Sequence, residues 1–482
     1  MKGKSKFLSS VLLCLMIAVV ATWTPGAQAA APKLGGKVST ANRYKCPIDK
    51  PQKVYGHAIN ASAVLDKDET WTPDNVYIIF GPFHVKKSLT IKAGTVVCFD
   101  YGPPGADGHP SPPAGSINIE EGATLKVLGT VDKHVVFAQK NDSKQYWGGI
   151  YFGSGSKTGE STMQYLDVYN AGLSASSGVL NTVSDDKAPP LDMQHVTYYS
   201  IQRVGIKNLT SGFTPESRIV VNNYAEETPN RDFFGGYPVL RVHVYGAHTV
   251  TDDVLKVGDI PKPTRYVQLD HAEGMNIELD VHLHKLQDGL TWRNIQNMKM
   301  SGNADDPPSF ILDPGSVLAV NNGGYINIGD GGNSMANIVA VGNKDKPIVF
   351  TSDSFTNGND PEPGNWTGIY FSPGNFKPNV SKFEYVIFEY GGDQGKNTVY
   401  NCSDKSNKPA VIIFGMTSNG RDYEGPPIKN SIFRKSASSG VRSRCNGQNT
   451  GCLLTNYEDK SFGNTFEGFD NERLATTPLR CP

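Results

Sequence analysis

Between residues 75 and 210, apolar and polar positions alternate in short bursts. Ser116-Ile117-Asn118-Ile119, Thr124-Leu125-Lys126-Val127-Leu128 and Val135-Val136-Phe137 are each closed by Gly, Asn or Asp before the next burst begins. Alternation among Ile, Val, Leu, Thr and Tyr puts one row of side chains on each face of an extended strand. No stretch of this region repeats at the spacing of an amphipathic helix. The pattern predicts an all-β fold of brief strands joined by glycine-containing turns. A Pro/Gly-rich insertion at residues 102–115 loops outward, because its prolines cannot donate to a ladder.

The block returns later in the chain. Trp147-Gly148-Gly149-Ile150-Tyr151-Phe152 is echoed by Trp366-Thr367-Gly368-Ile369-Tyr370-Phe371 at an offset of 219, and Tyr165 by Tyr385 at 220. Residues 89–99 are echoed from residue 310 at 221, and Val54-Tyr55-Gly56 by Val244-Tyr245-Gly246 at 190. Two versions of one unit, residues 54–240 and 241–482, account for these echoes. Two or three short strands every ~20–30 residues, stacked on copies of themselves, make a solenoid. Its inward Ile, Val, Leu and Phe stack in columns, and turn asparagines such as Asn223 and Asn464 are placed for amide ladders. A pair of β-sandwich domains is the competing all-β reading. It is disfavoured because few two-residue Asn-Gly or Asp-Gly turns join matched strands.

The first residues stand apart from this pattern. Lys2, Lys4 and Lys6 precede a mainly apolar run at residues 7–21, and Ala27-Gln28-Ala29 follows with small residues at signal-peptidase spacing. Residues 1–29 are expected to be a signal peptide, since the run falls short of the ~20 residues that span a bilayer. Residues 30–53 are polar and Pro/Gly/Lys-rich, as suits a leader or N-terminal cap. No later stretch reads as a membrane span, so the expected locations are outside the cell, at its surface, or in the periplasm. Removing the leader leaves 43 Lys+Arg against 47 Asp+Glu, a balance that argues against nucleic acid as a partner. Six cysteines remain: Cys46, Cys98, Cys402, Cys445, Cys452 and Cys481. An even number in an exported chain reads as disulfides, with Cys46–Cys98 near one end and two bridges among the last four. Close C-x-x-C pairs, which would favour zinc, are absent.

The chain resembles the secreted bacterial right-handed parallel β-helix class, the pectate-lyase-like solenoids. The residues that carry the resemblance are Lys92-Ala93-Gly94-Thr95, Gly129-Thr130 with Val135-Val136-Phe137, and Trp147-Gly148-Gly149-Ile150-Tyr151-Phe152. The second copy departs from the pattern with Asp313-Pro314-Gly315-Ser316, Gly342-Asn343 and Trp366-Thr367-Gly368-Ile369. The resemblance implies a right-handed parallel β-helix, internally duplicated. It does not choose among the adhesins, surface proteins, lyases and hydrolases that share the fold.

Candidate chemistry is sparse. Asp185-Asp186, Asp192 and His195 come nearest to the clustered aspartates of pectin hydrolases, whose Gly-His-Gly and Arg-x-Lys motifs are missing. Val281-His282-Leu283-His284 puts His282 and His284 on one strand face, a pair that can chelate a metal with a third ligand from His243, His248 or His271. Asp330 and Asp360 sit in oxygen-rich loops where calcium is chemically admissible; no other cofactor is expected. Trp147, Tyr151, Trp366 and Tyr370 recur in both copies and are candidates for stacking on sugar rings, against a core role for the same rings. The expected function is non-enzymatic binding of a polysaccharide or a surface protein, with self-assembly through open solenoid ends as a further expectation. The alternative is a polysaccharide lyase or glycoside hydrolase.

Overall fold

The computed structural model describes residues 44–480 except 48, 57–61, 101–113, 141–145, 173–177, 184–187, 200, 202–204, 223–237, 259, 261–264, 273, 330–333, 373–374, 393–409, 416–420, 438, 446–452 and 469–475. The described residues belong to one compact unit. The expected signal peptide, Asn223 and Asp330 lie outside them.

The expectation of a parallel solenoid holds. Every ladder between strands is parallel, and the strands fall into sheets of eleven, fourteen, seven and five. Helical segments are short 3-10 turns. The fourteen-stranded sheet, here the long sheet, runs from Ala63–Leu65 to Thr465–Glu467. Its register places Phe83, Ile117, Ile150, Leu180, Ile206, Leu240, Val267, Trp292, Leu318, Phe350, Phe388, Phe433 and Phe466 in one inward column. The last four rings stack at 5.3, 4.8 and 4.9 Å. A side-chain period of two on every strand makes this column possible, since a one-residue slip would turn it to solvent.

The duplication is visible in the backbone. Tyr165 and Tyr385 both adopt left-handed φ, +46° and +51°, at the corner where each coil bends. Gly149 and Gly368 also share positive φ, at +124° and +147°. At Gly149 a Cβ would stand 2.7 Å from the Val179 carbonyl oxygen, so the next coil's backbone requires glycine there.

The copies are nevertheless rotated by one face of the coil. Ser116–Ile119 and Gly149–Phe152 lie in the long sheet, whereas their counterparts Tyr325–Ile328 and Gly368–Phe371 form part of the seven-stranded sheet. Conversely, Val317–Val320 and Ile348–Ser352 lie in the long sheet, while their counterparts Val96–Asp100 and Val135–Gln139 belong to the eleven-stranded sheet. The sheet crosses the junction where Leu240–His243 pairs with Tyr266–Asp270. Between these strands, Val244-Tyr245-Gly246 forms a 3-10 turn, unlike Val54 and Tyr55, which lie in a strand. That echo is a likeness of sequence without a likeness of structure. The amide-ladder expectation fails at Asn464, whose side chain instead donates to the Ile428 and Tyr457 carbonyls.

Of the described leader residues, Tyr44 and Cys46 lie over the outside of the eleven-stranded sheet, while Gln52 and Lys53 enter its first strand. Val76, Ile78, Val96 and Cys98 form an apolar cluster on that outer face, and Tyr44 and Cys46 pack over it. The Cys46–Cys98 disulfide joins the strap to the sheet, and Tyr44 stacks on Tyr169 at 5.5 Å. Cys402, Cys452 and Cys481 and the side chain of Cys445 lie outside the described residues. Closing a chain segment of 52 residues' separation removes loop entropy from the unfolded chain. Cys46→Ser is therefore expected to cost roughly 3–4 kcal/mol. It is read as a lowered denaturation midpoint under non-reducing conditions, with Cys98→Ser lowering it by the same amount.

Candidate functional site

Two of the four aromatic candidates are core residues. Trp147 and Trp366 are fully buried. Trp147 lies flat on Phe99 at 3.8 Å and 4°, and its indole donates to the Tyr169 carbonyl at 2.8 Å. Trp366 donates to the Glu389 carbonyl at 2.8 Å. Tyr370 is buried against Tyr325 and Ile413. Tyr151 is half-buried, and its hydroxyl donates to Gly148 O at 2.9 Å. A binding role for the two Trp residues is thus corrected: their rings belong to the core, and a buried indole N–H needs an acceptor, whereas Tyr370 stands on the outer face of the seven-stranded sheet in a small cluster of its own.

The outer face of the long sheet carries a different feature, invisible from spacing. In register stand His84, Asn118, Tyr151, Asn181, Lys207, Arg241, Gln268 and Arg293, each on the next coil. After the small Ala319 come Thr351, Glu389, Arg434 and Glu467. Neighbours in such a row are one strand spacing apart, ~4.8 Å. Charges along it are paired: His84 with Glu120 at 2.6 Å, Arg241 with Asp270 at 2.8 Å and Arg434 with Glu389 at 2.9 Å.

Two places in the row carry electrostatic cost. Lys207 and Arg241 are direct cross-strand neighbours of like charge, an arrangement that destabilises a sheet. Burial, followed by the Arg241 charge, pushes the Lys207 ammonium below its ordinary value against the pull of Asp270. Further on, Arg293 reaches across Ala319 to bind Asp353 through Nε and Nη2 at 3.0 and 2.8 Å, and donates from Nη1 to the Tyr266 hydroxyl at 3.1 Å. Both charged groups are buried, at 9% and 4% side-chain exposure. Burial lifts the Asp353 carboxyl above its ordinary value even with Arg293 beside it. The pair stitches three coils of the second copy together.

The histidine pair is brought together as expected, but its third partner is Asp313. On strand Val281–Leu283, Val281 and Leu283 point into the core and His282 points out, with His284 following. Leu283 pairs with Leu312 on the adjacent coil, so Asp313 follows onto the outer face. His282 Nε2 lies 2.8 Å from Asp313 Oδ1 and His284 Nδ1 lies 2.7 Å from Oδ2, with ring centroids 4.1 Å apart. A carboxylate only accepts, so each of these nitrogens donates. Burial opposes ionisation of Asp313, but these hydrogen bonds outweigh it and hold the carboxyl below its ordinary value.

The other histidines proposed as ligands are elsewhere engaged. His243 and His271 are buried, His271 against Asn294 Oδ1 at 3.3 Å, and His248 binds the Tyr245 carbonyl. Asp360 is on an exposed loop, and among the described residues it joins no group of potential ligands. Asp192 is tied to Thr162, Gln194 and Thr214, while His195 stacks on Tyr165 at 4.6 Å. The Asp185-Asp186 pair lies outside the described residues. Among those residues no helix is long and apolar enough to cross a membrane.

Compared with family models, curated proteins and solved structures, the chain matches none.

Two substitutions separate packing from recognition here. Trp366→Ala is expected to cost 3–5 kcal/mol in denaturant unfolding, the range for emptying a buried aromatic site. Arg293→Ala, which strands a buried carboxylate, is expected to cost a similar 3–5 kcal/mol. A change below 1 kcal/mol in either would mean that the side chain is not held as described.

Proposed function

We propose that this is an exported, non-catalytic β-solenoid that binds a polysaccharide along the outer row of its long sheet. The observation that carries the reading is the row itself: Asn118, Tyr151, Asn181, Lys207 and Arg241 on successive coils, each partly exposed. A polymer of sugars presents hydroxyls or carboxylates at intervals of the same order as the strand spacing, so successive coils can address successive residues of the chain. Placing Lys207 beside Arg241 costs stability and concentrates positive charge, which favours polymers bearing carboxylates.

Three further observations support the reading. The segment at residues 1–29 has the form of a signal peptide, and a disulfide is a feature of exported chains. The sequence phrases that resemble those of secreted bacterial right-handed β-helix proteins support a site of action outside the cell. Asp270, Asp353 and Glu389 each have an arginine partner of their own, which suits a binding surface better than a general acid–base pair.

A glycan array that includes uronic-acid polymers, combined with a depolymerisation assay on the same sugars, tests the proposal. Saturable binding without release of reducing ends or unsaturated products is expected, and Lys207→Ala is expected to weaken it about tenfold, or ~1.4 kcal/mol. Chain cleavage would identify an enzyme instead. Binding unaffected by Lys207→Ala and by Asn181→Ala would move the surface elsewhere.

A further inference from the structure

The cluster of His282, His284 and Asp313 has no role in the polysaccharide reading and stands on a different sheet. Three potential ligand atoms, one from each residue, lie within 4.8 Å of one another. Their side chains are 32%, 27% and 34% exposed, so the group is reachable from solvent and leaves one side open.

The scaffold beneath it is rigid. Val281, Leu283, Phe310 and Leu312 anchor the two strands in the core. The backbone N–H of Asp313 donates to Leu283 O at 3.0 Å, and Ser316 Oγ donates to the same carbonyl at 3.2 Å. From inside, the Trp292 indole donates to the carbonyl of His284 at 2.8 Å. None of these contacts uses the imidazoles or the carboxylate, so the site's geometry does not depend on them.

The duplication supplies an internal comparison. In the first copy, Thr70 pairs with Thr90 and Trp71 with Ile91, the same ladder that His282 and Leu283 make with Ile311 and Leu312. Aligning the copies on that ladder puts Thr70, Thr72 and Lys92 where the second copy has His282, His284 and Asp313. The fold therefore accepts residues without metal affinity at all three positions, and packing does not demand this ligand set.

We propose that His282, His284 and Asp313 bind a divalent transition ion, Zn²⁺ or Cu²⁺, across two adjacent coils. Two imidazole nitrogens and one carboxylate oxygen form a donor set for ions of intermediate softness. Calcium is a poor match, because it takes six to eight oxygens and only Asp313 offers any. Binding replaces the two N–H···O contacts. His282 Nε2 and His284 Nδ1 each give up a proton, either to the other ring nitrogen or to solvent, and present lone pairs to the ion. The open side accepts water or a donor from a partner.

Equilibrium dialysis and calorimetry on the purified, untagged protein with Zn²⁺ and Cu²⁺ test this. One ion per chain, removable by a chelator, is the expected result, with a denaturation midpoint that Zn²⁺ raises and the chelator returns. The double variant His282→Gln/His284→Gln is expected to lose the site, and Asp313→Asn to weaken it at least tenfold. His195→Asn, at a histidine outside the cluster, is expected to leave binding unchanged. Absence of saturable uptake of both ions overturns the proposal, as does uptake by the double variant equal to that of the wild type. Should the double variant fail to fold, Asp313→Asn decides: affinity within twofold of the wild type also overturns it.

Discussion

Each coil of this protein depends on its neighbours for backbone hydrogen bonds. A short strand cannot satisfy its own N–H and C=O groups, and a buried unpaired one costs as much as a lost hydrogen bond. Parallel pairing with the coils on either side meets that requirement along every sheet. It also locks the register, because the inward column of the long sheet tolerates no slip of one residue. The outer rows inherit the same lock. Side chains far apart in sequence, such as Lys207 and Arg241 or Leu283 and Leu312, become neighbours because the core requires it.

That inheritance explains why both candidate sites sit on outward rows at strand spacing. A solenoid offers little concave surface, but it offers rows of side chains whose separation is set by the backbone. The polysaccharide reading uses one row lengthwise. The metal reading uses two neighbouring positions of another, where two histidines on one strand meet a carboxylate from the next. Three coils of the second copy are held differently, by a buried ion pair that reaches over Ala319. Replacing such a pair by apolar residues is often neutral or stabilising, whereas breaking it is not. Its contribution here is to tie a coil to the second one after it, across the small Ala319.

The parallel solenoid was legible because alternation and glycine turns are local features of the chain. The Cys46–Cys98 bridge was legible from an even cysteine number in a chain expected to be exported. The aromatic candidates were misassigned in part: recurrence of Trp147 and Trp366 in both copies signalled packing that both copies need. The histidine pair was found from its i, i+2 spacing on a strand, but Asp313 was not. In the sequence Asp313-Pro314-Gly315-Ser316 stands out only as a departure from Lys92-Ala93-Gly94-Thr95, and that departure is the available signal.

By itself the sequence determined that the strands would be short, which residues of each would face inward, and that the chain would stack on itself, since these follow from a period of two and from turn chemistry. Only the tertiary structure decided which coil meets which. The one-face rotation between the copies, the row from His84 to Glu467, the reach of Arg293 to Asp353 and the meeting of His282, His284 and Asp313 all depend on coil length. Coil length is set by loops whose reach local patterning does not encode.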